Sequence, residues 1–277
     1  MPSPWRLAQY GWDGSMKAED GTHRTGEGLG TGTSTGSSRN TPSQQAEPGG
    51  RFAALRLLDG TTLKLIALVT MLIDHVGAAL FPGAVWMRAV GRIAMPIFAF
   101  CVAEGYTHTS DRRRYLLRLG VFAAVSELPF DFALMGGPEL THQNIMLTFA
   151  IAVATLMAAD ALMERFEGSV GIIAGLGAVL AGSLVAVFLK TDYNYLGVML
   201  VALFHFLKES EPPVKAAVGG AYYLFMRNMG YLVWGVVGFA LTAFYNGKRG
   251  RGLKYLFYLF YPGHLALIAL IGHAIGS

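Results

Sequence analysis

The chain has 277 residues, of which 53% are hydrophobic and 14% charged, where an ordinary globular domain carries about 25% charged residues. With a mean hydropathy of +0.43, too little polar surface is left to coat a soluble core of this size, so lipid is the expected solvent. A formal charge of +4 and a pI near 9.2 fit basic loops against anionic lipid rather than nucleic-acid binding, and the lone Cys101 excludes an internal disulfide and Cys-rich zinc sites.

Residues 1–55 open the chain as a Gly/Ser/Thr-rich stretch, including GEGLGTGTSTGSSRNTPSQQAEPGG, which buries too little apolar area to offset chain entropy and is expected to be a disordered cytoplasmic tail. The first residues, MPSPWRLAQYGWDG, have no apolar core of a secretory signal, so the first hydrophobic span is expected to do the targeting. Residues 56–277 are expected to form a single transmembrane domain. Apolar runs of a length suited to a hydrocarbon core of about 30 Å fall at Leu63–Phe81, Val85–Tyr106, Tyr115–Met135, Gln143–Met163, Val170–Leu189, Tyr195–Leu207, Val214–Met226, Tyr231–Tyr245 and Tyr255–Ala274. The sixth and seventh are short. The fold class is therefore all-α, a polytopic transmembrane helix bundle of about nine helices.

Basic residues orient it. With the N-terminus inside, the inner loops hold Arg112, Arg113, Arg114, Arg118, Arg165, Lys208, Lys215, Lys248, Arg249, Arg251 and Lys254, and the outer ends hold only Arg88, Arg92, Lys190 and Arg227. The excess predicts a cytoplasmic N-terminus and a C-terminus outside.

Ionisable groups at membrane depth cost at least about 2.5 kcal/mol each, so they pair, line a wet cavity or act. The first span carries Asp74 and His75 in TMLIDHVGAALFP, at the depth of the outer half of the bilayer. Adjacent helix residues point about 100° apart, so the two cannot form a dyad and each needs a partner from another helix. Arg88 and Arg92 lie four apart in the second span, Glu127 and Asp131 four apart in the third, and His142, Gln143 and Asn144 open the fourth. The carboxylates are expected to neutralise the arginines or, alternatively, to orient His75 as a general base. A second, inner cluster joins Glu104, His108, Arg112, Arg113 and Arg114 to Lys248 and Arg249 of NGKRGRGLKY, a basic set suited to phosphates as well as a plain topology signal. His205 sits near an inner helix end, and His264, after Pro262 and Gly263, lies near mid-membrane as the second histidine of interest.

The segments LKLIALVTMLIDHVG, RAVGRIAMPIFAF, EGYTHTSDRRRYLLRL, SELPFD, THQNIMLTF, YNGKRG and KYLFYLFYPGHL together resemble, in order, the TraX-like integral membrane proteins, the family named for an F-pilin acetylase. The likeness runs from about Leu63 to Leu265. It implies acyl transfer, with acetyl-CoA as acyl donor and a pilin, a glycan or another amine or hydroxyl as acceptor. A more distant likeness to membrane acetyltransferases that use an intramembrane histidine favours His75. On that basis His75, Asp74, Arg92, Glu127, Asp131 and Asn144 are the expected catalytic group, with Arg92 or Asn144 steadying an oxyanion. His108, Arg112, Arg113, Arg114, Lys248 and Arg249 are expected to hold the cofactor, and no metal is expected. The competing expectations are a proton-coupled small-solute transporter, since buried Asp, Glu and His also form proton relays, and a noncatalytic membrane component of a conjugation or assembly complex.

Overall fold

A computed structural model describes residues 55–226 and 233–275. Apart from Leu55, the expected polar tail lies outside the described residues, as do Arg227 and the expected start of the eighth span at Tyr231. Among the described residues the structure is all helical: α1 (Gly60–Ala79), α2 (Val85–Gly91), α3 (Ala94–His108), α4 (Arg112–Leu134), α5 (Ile145–Arg165), α6 (Gly168–Phe188), α7 (Asn194–Phe206), α8 (Pro212–Met226), α9 (Val233–Ala243) and α10 (Lys254–Ile275). Five stretches are long and apolar enough to cross a membrane: α1, the α2–α3 stretch, α5, α6 and α10. Helices α7 and α9 are apolar but shorter. The end of the bundle where α1 begins is called proximal below, and the end where α1 finishes distal.

The expected second span is broken into two helices. Pro96 has no N–H to give the carbonyl of Arg92 and its ring crowds that carbonyl, so the chain tightens just before it. There Arg92 and Ile93 donate to the carbonyls of Ala89 and Val90, three residues back. α2 packs against α1, which brings its arginines to that helix.

Helix starts are capped by the short polar side chains that precede them. Asp59 accepts from Thr62 N at α1, Asp111 from Arg114 N at α4, and Asn144 from Met146 N at α5. The Thr62 N–H, and to a lesser extent its side chain and the Thr61 N–H, hold the Asp59 carboxyl below its ordinary value. The start of α1 is also tied to the loop before α10. Gly60 N donates to Lys248 O at 2.9 Å and Thr61 Oγ1 to Arg251 O at 2.7 Å.

α3 lies at the centre, touching α1, α5, α7 and α9, and Phe100 and Tyr106 on it are among the largest fully buried side chains. Phe100 meets Phe204 of α7 edge to face at 5.5 Å between centroids. The outermost helix shows how the sequence separates lipid from protein. α6 turns Gly171, Gly175, Val179, Ser183 and Ala186 inward, a stripe of small residues every three or four positions that lets it approach α5 closely. Its opposite side exposes Ile173, Leu176, Leu180, Leu184 and Phe188, a face that water would penalise and lipid accepts.

Candidate functional site

The distal half of α1 gathers the polar residues. Asp74 is buried, and both oxygens of its carboxylate are taken by α2: Arg88 Nη1 donates to Oδ2 at 2.9 Å and Arg92 Nη2 to Oδ1 at 3.1 Å. Arg92 also donates through Nε to Arg88 O at 3.2 Å and through Nη1 to Tyr193 Oη at 3.0 Å. Tyr193 is delivered by the turn before α7, where its own φ of 57° is left-handed, a conformation uncommon for a bulky residue. Gly91 makes the α1–α2 approach possible, because a methyl group there would overlap the Cβ and carboxylate of Asp74. The expected partners of Arg88 and Arg92 were Glu127 and Asp131. The structure gives both arginines to Asp74, because α2 packs against α1, with Gly91 allowing the close approach.

His75, the next residue, turns to α10. Its Nδ1 lies 2.7 Å from Nε2 of His264, whose own Nδ1 lies 2.7 Å from Phe260 O. The two rings are 4° from parallel with centroids 5.0 Å apart. With so short an N···N contact the rings lie edge to edge in nearly one plane, as an in-plane N–H···N bond requires. The tautomers follow from the end of the chain of bonds. A carbonyl only accepts, so His264 Nδ1 carries a proton, its Nε2 accepts, and His75 Nδ1 donates. His75 Nε2 is left with a lone pair and makes no hydrogen bond among the described residues. The expected orienting carboxylate is thus replaced by a neutral histidine held by a backbone carbonyl. Tyr261 stands one turn away, its ring 6.1 Å from that of His75 and 5.7 Å from that of His264. Its buried hydroxyl lies toward the Ile145 backbone N–H, and its hydrogen finds no acceptor among the described residues.

Glu127, Asp131 and Asn144 form the next layer. Asn144 Nδ2 donates to Glu127 Oε2 and to Ala123 O, the latter at 2.9 Å, while its Oδ1 caps α5. Asp131 Oδ2 accepts from Glu139 N at 3.0 Å. Glu127 Oε1 and Asp131 Oδ1 are buried with no hydrogen bond. The spare polar capacity of this end therefore belongs to the carboxylates and Tyr261, and Asn144 is fully engaged.

The residues expected to hold a cofactor are dispersed or already paired. Arg112 pairs with Asp160 of α5 at 2.9 Å and covers the Tyr106 ring at 4.5 Å. Arg114 pairs with Asp111 at 3.0 Å, Arg113 is exposed, and His108 Nδ1 lies 2.9 Å from Glu104 O. Lys248 and Arg249 are exposed and hold α1 through their carbonyls. Asp160 drew no attention in the sequence, yet it is the hub of the proximal end, accepting from Tyr106 Oη at 2.8 Å and lying 3.0 Å from His205 Nε2. Lys215 closes a second buried pair with Glu104 at 2.8 Å. The signal for both lay in Asp160, a carboxylate one turn before Glu164 at the end of the apolar run of α5, and in a lysine one turn into α8.

The architecture and this polar interior define a polytopic helical membrane protein with a histidine pair buried between its first and last helices. The TraX protein family matches residues 59–272, and the chain belongs to that family. It is 26% identical over 235 residues to the probable fimbrial assembly protein FimC, serogroup H1, of Dichelobacter nodosus, covering 74% of this chain and 92% of that one. It is 27% identical over 157 residues to protein TraX of Escherichia coli (strain K12), covering 56% of this chain and 59% of that one. An uncharacterized protein of Rickettsia prowazekii (strain Madrid E) is 38% identical over 63 residues, 23% of this chain and 25% of that one. No solved structure matches.

Proposed function

We propose that the chain is a membrane-embedded acyltransferase that moves an acetyl group from acetyl-CoA to an acceptor at the bacterial inner membrane. The observation that carries this reading is the Phe260 carbonyl–His264–His75 chain, which fixes the tautomer of His75 and leaves Nε2 as a base inside the bundle. His75 Nε2 takes the proton of the acceptor amine or hydroxyl as its heteroatom attacks the thioester carbonyl. The charge that develops on that oxygen meets Tyr261 Oη, whose hydrogen has no other partner. Collapse breaks the carbon–sulfur bond, and the proton on His75 passes to the departing thiolate to give CoA and the acylated acceptor. Arg92, tied to Asp74 and Tyr193, positions α1 and does not touch the reacting atoms.

The name of the Dichelobacter relative supports a pilin or another pilus component as acceptor, with a glycan as the alternative, and supports a place for the chain in pilus assembly or conjugation. The proximal end, which holds Arg112 to Arg114 and Lys248, then faces the cytoplasm.

Purified protein incubated with labelled acetyl-CoA and candidate acceptors should transfer label, and His75→Ala should remove transfer while the melting temperature holds. Full transfer by that variant removes His75 from the chemistry. The relative's name equally fits a noncatalytic assembly component, which predicts no stabilisation by acetyl-CoA, where a ligand at 100 times its Kd would add about 2.7 kcal/mol.

A further inference from the structure

Two cations inside the proximal half of the bundle lack a counter-ion. Lys64, one turn into α1, and Arg118, nearly two turns into α4, make no ion pair or hydrogen bond among the described residues, and Arg118 Nε is buried without an acceptor. Each rests on an aromatic ring instead: Lys64 Nζ lies 5.6 Å from the Phe257 centroid and Arg118 Cζ 5.7 Å from that of Tyr115. Such contacts attract the charge but satisfy no N–H. Elsewhere at this end the buried Lys215 holds Glu104 and the exposed Arg112 holds Asp160.

The two converge on one place. Lys64 Nζ covers Phe257, and Phe122, one turn beyond Arg118 on α4, stacks on Tyr258, the next residue of α10, at 4.9 Å between centroids, so both cations flank the start of α10. Tyr115 Oη lies beside Gly105 of α3, where a Cβ would come within 3.0 Å. The walls come from α1, α3, α4 and α10, with α10 packed against both α1 and α4. This place is also in line with the histidines. Lys64 and His75 are eleven residues apart and so share a face of α1, separated by about 16 Å along the axis. Phe257 and His264 are seven apart and share a face of α10.

We infer that Lys64 and Arg118 form a phosphate-binding site, and that a phosphorylated acyl donor held there extends its acyl arm along the α1–α10 seam to His75. The assignment of the phosphate to an acyl donor rests on the acyltransferase reading; the site itself does not. A membrane lipid presents the same phosphate chemistry at this depth, so the test carries both ligands.

Full-length protein in detergent is titrated separately with acetyl-CoA and with phosphatidylglycerol, as wild type and as Lys64→Gln, Arg118→Gln and Lys208→Gln, the last an exposed cation at the same end. A charge-assisted bond to phosphate is worth at least about tenfold in affinity. Lys64→Gln and Arg118→Gln should each weaken acetyl-CoA binding by that factor, Lys208→Gln by less than twofold, and the charge-keeping Lys64→Arg and Arg118→Lys should recover most of it. If acetyl-CoA binds the wild type and both Gln variants equally, the site is overturned while the donor reading stands. If acetyl-CoA does not bind but phosphatidylglycerol binds and depends on both cations, the phosphate site stands and the acyl-donor reading fails. If neither ligand depends on them, the phosphate site is wrong whatever the enzyme does.

Discussion

The two ends of the bundle each bury a histidine in a polar network, and they use it in opposite ways. At the proximal end Asp160 receives Arg112, Tyr106 and His205 on its two oxygens. The carboxylate is saturated, and the network joins α3, α4, α5 and α7. At the distal end His75 leans on a neutral His264, while Glu127 Oε1, Asp131 Oδ1 and Tyr261 Oη are buried with unused capacity. Buried polar atoms left without partners cost about 1 to 3 kcal/mol each, and both ends keep some, His205 Nδ1 and Arg118 Nε at the proximal end among them. A carboxylate filled on both oxygens clamps helices; one with a free oxygen can still take a partner.

That contrast can be broken by mutation. The largest effect is expected at the open end. His264→Ala removes the acceptor that fixes the tautomer of His75 and should lower acyl transfer by about 10² or more, whereas His205→Ala should leave transfer per folded molecule near wild type, and equal losses in radiolabel assays would erase the distinction. Asp74→Asn strands two arginines and should cost about 3 kcal/mol, read as a lower melting temperature with transfer falling alongside, because α1 loses its hold on α2. Asp160→Asn should destabilise by about 2 kcal/mol with little change in turnover, since Arg112 is partly exposed and can turn to water; a collapse of turnover at normal stability would make the proximal end a site too.

The smallest effect tests the cap that starts α1. Asp59→Ala should cost about 1 kcal/mol at neutral pH. Because hydrogen bonding lowers the Asp59 carboxyl below its ordinary value, its contribution is present above that range and is lost as pH falls through the lowered value. Melts of wild type and Asp59→Ala should converge in acid, and a gap that persists there would mean that the charge of the cap plays no part.

The helices were legible because long apolar runs leave few alternatives, and the nine expected spans coincide with the ten described helices once α2 and α3 are taken together, but only five of them are long and apolar enough to cross a membrane. The ionisable residues were legible as well, since their cost at depth makes them conspicuous. Their pairing was not. Depth alone ranked Glu127 and Asp131 as partners for the arginines, while the true partner, Asp74, depends on which helix α2 packs against. The histidine pair joins residues 189 positions apart, and that proximity is set by α10 returning against α1 at the end of the chain. Asp160 escaped because it lies near the charged end of α5, with Glu164 four residues on, where acidic side chains read as an ordinary membrane-interface helix end.

Asp74 and His75 being consecutive has a mechanical consequence. Helix α1 is a shaft keyed at two bearings about 100° apart around its circumference, one engaging α2 and the other α10. A turn by one residue position would pull both keys from their slots at once, so α1 cannot relax one contact while keeping the other. The aim of the His75 ring is therefore held by the arginine lock next door, and wear in that lock should show as misalignment of a base that the arginines never touch.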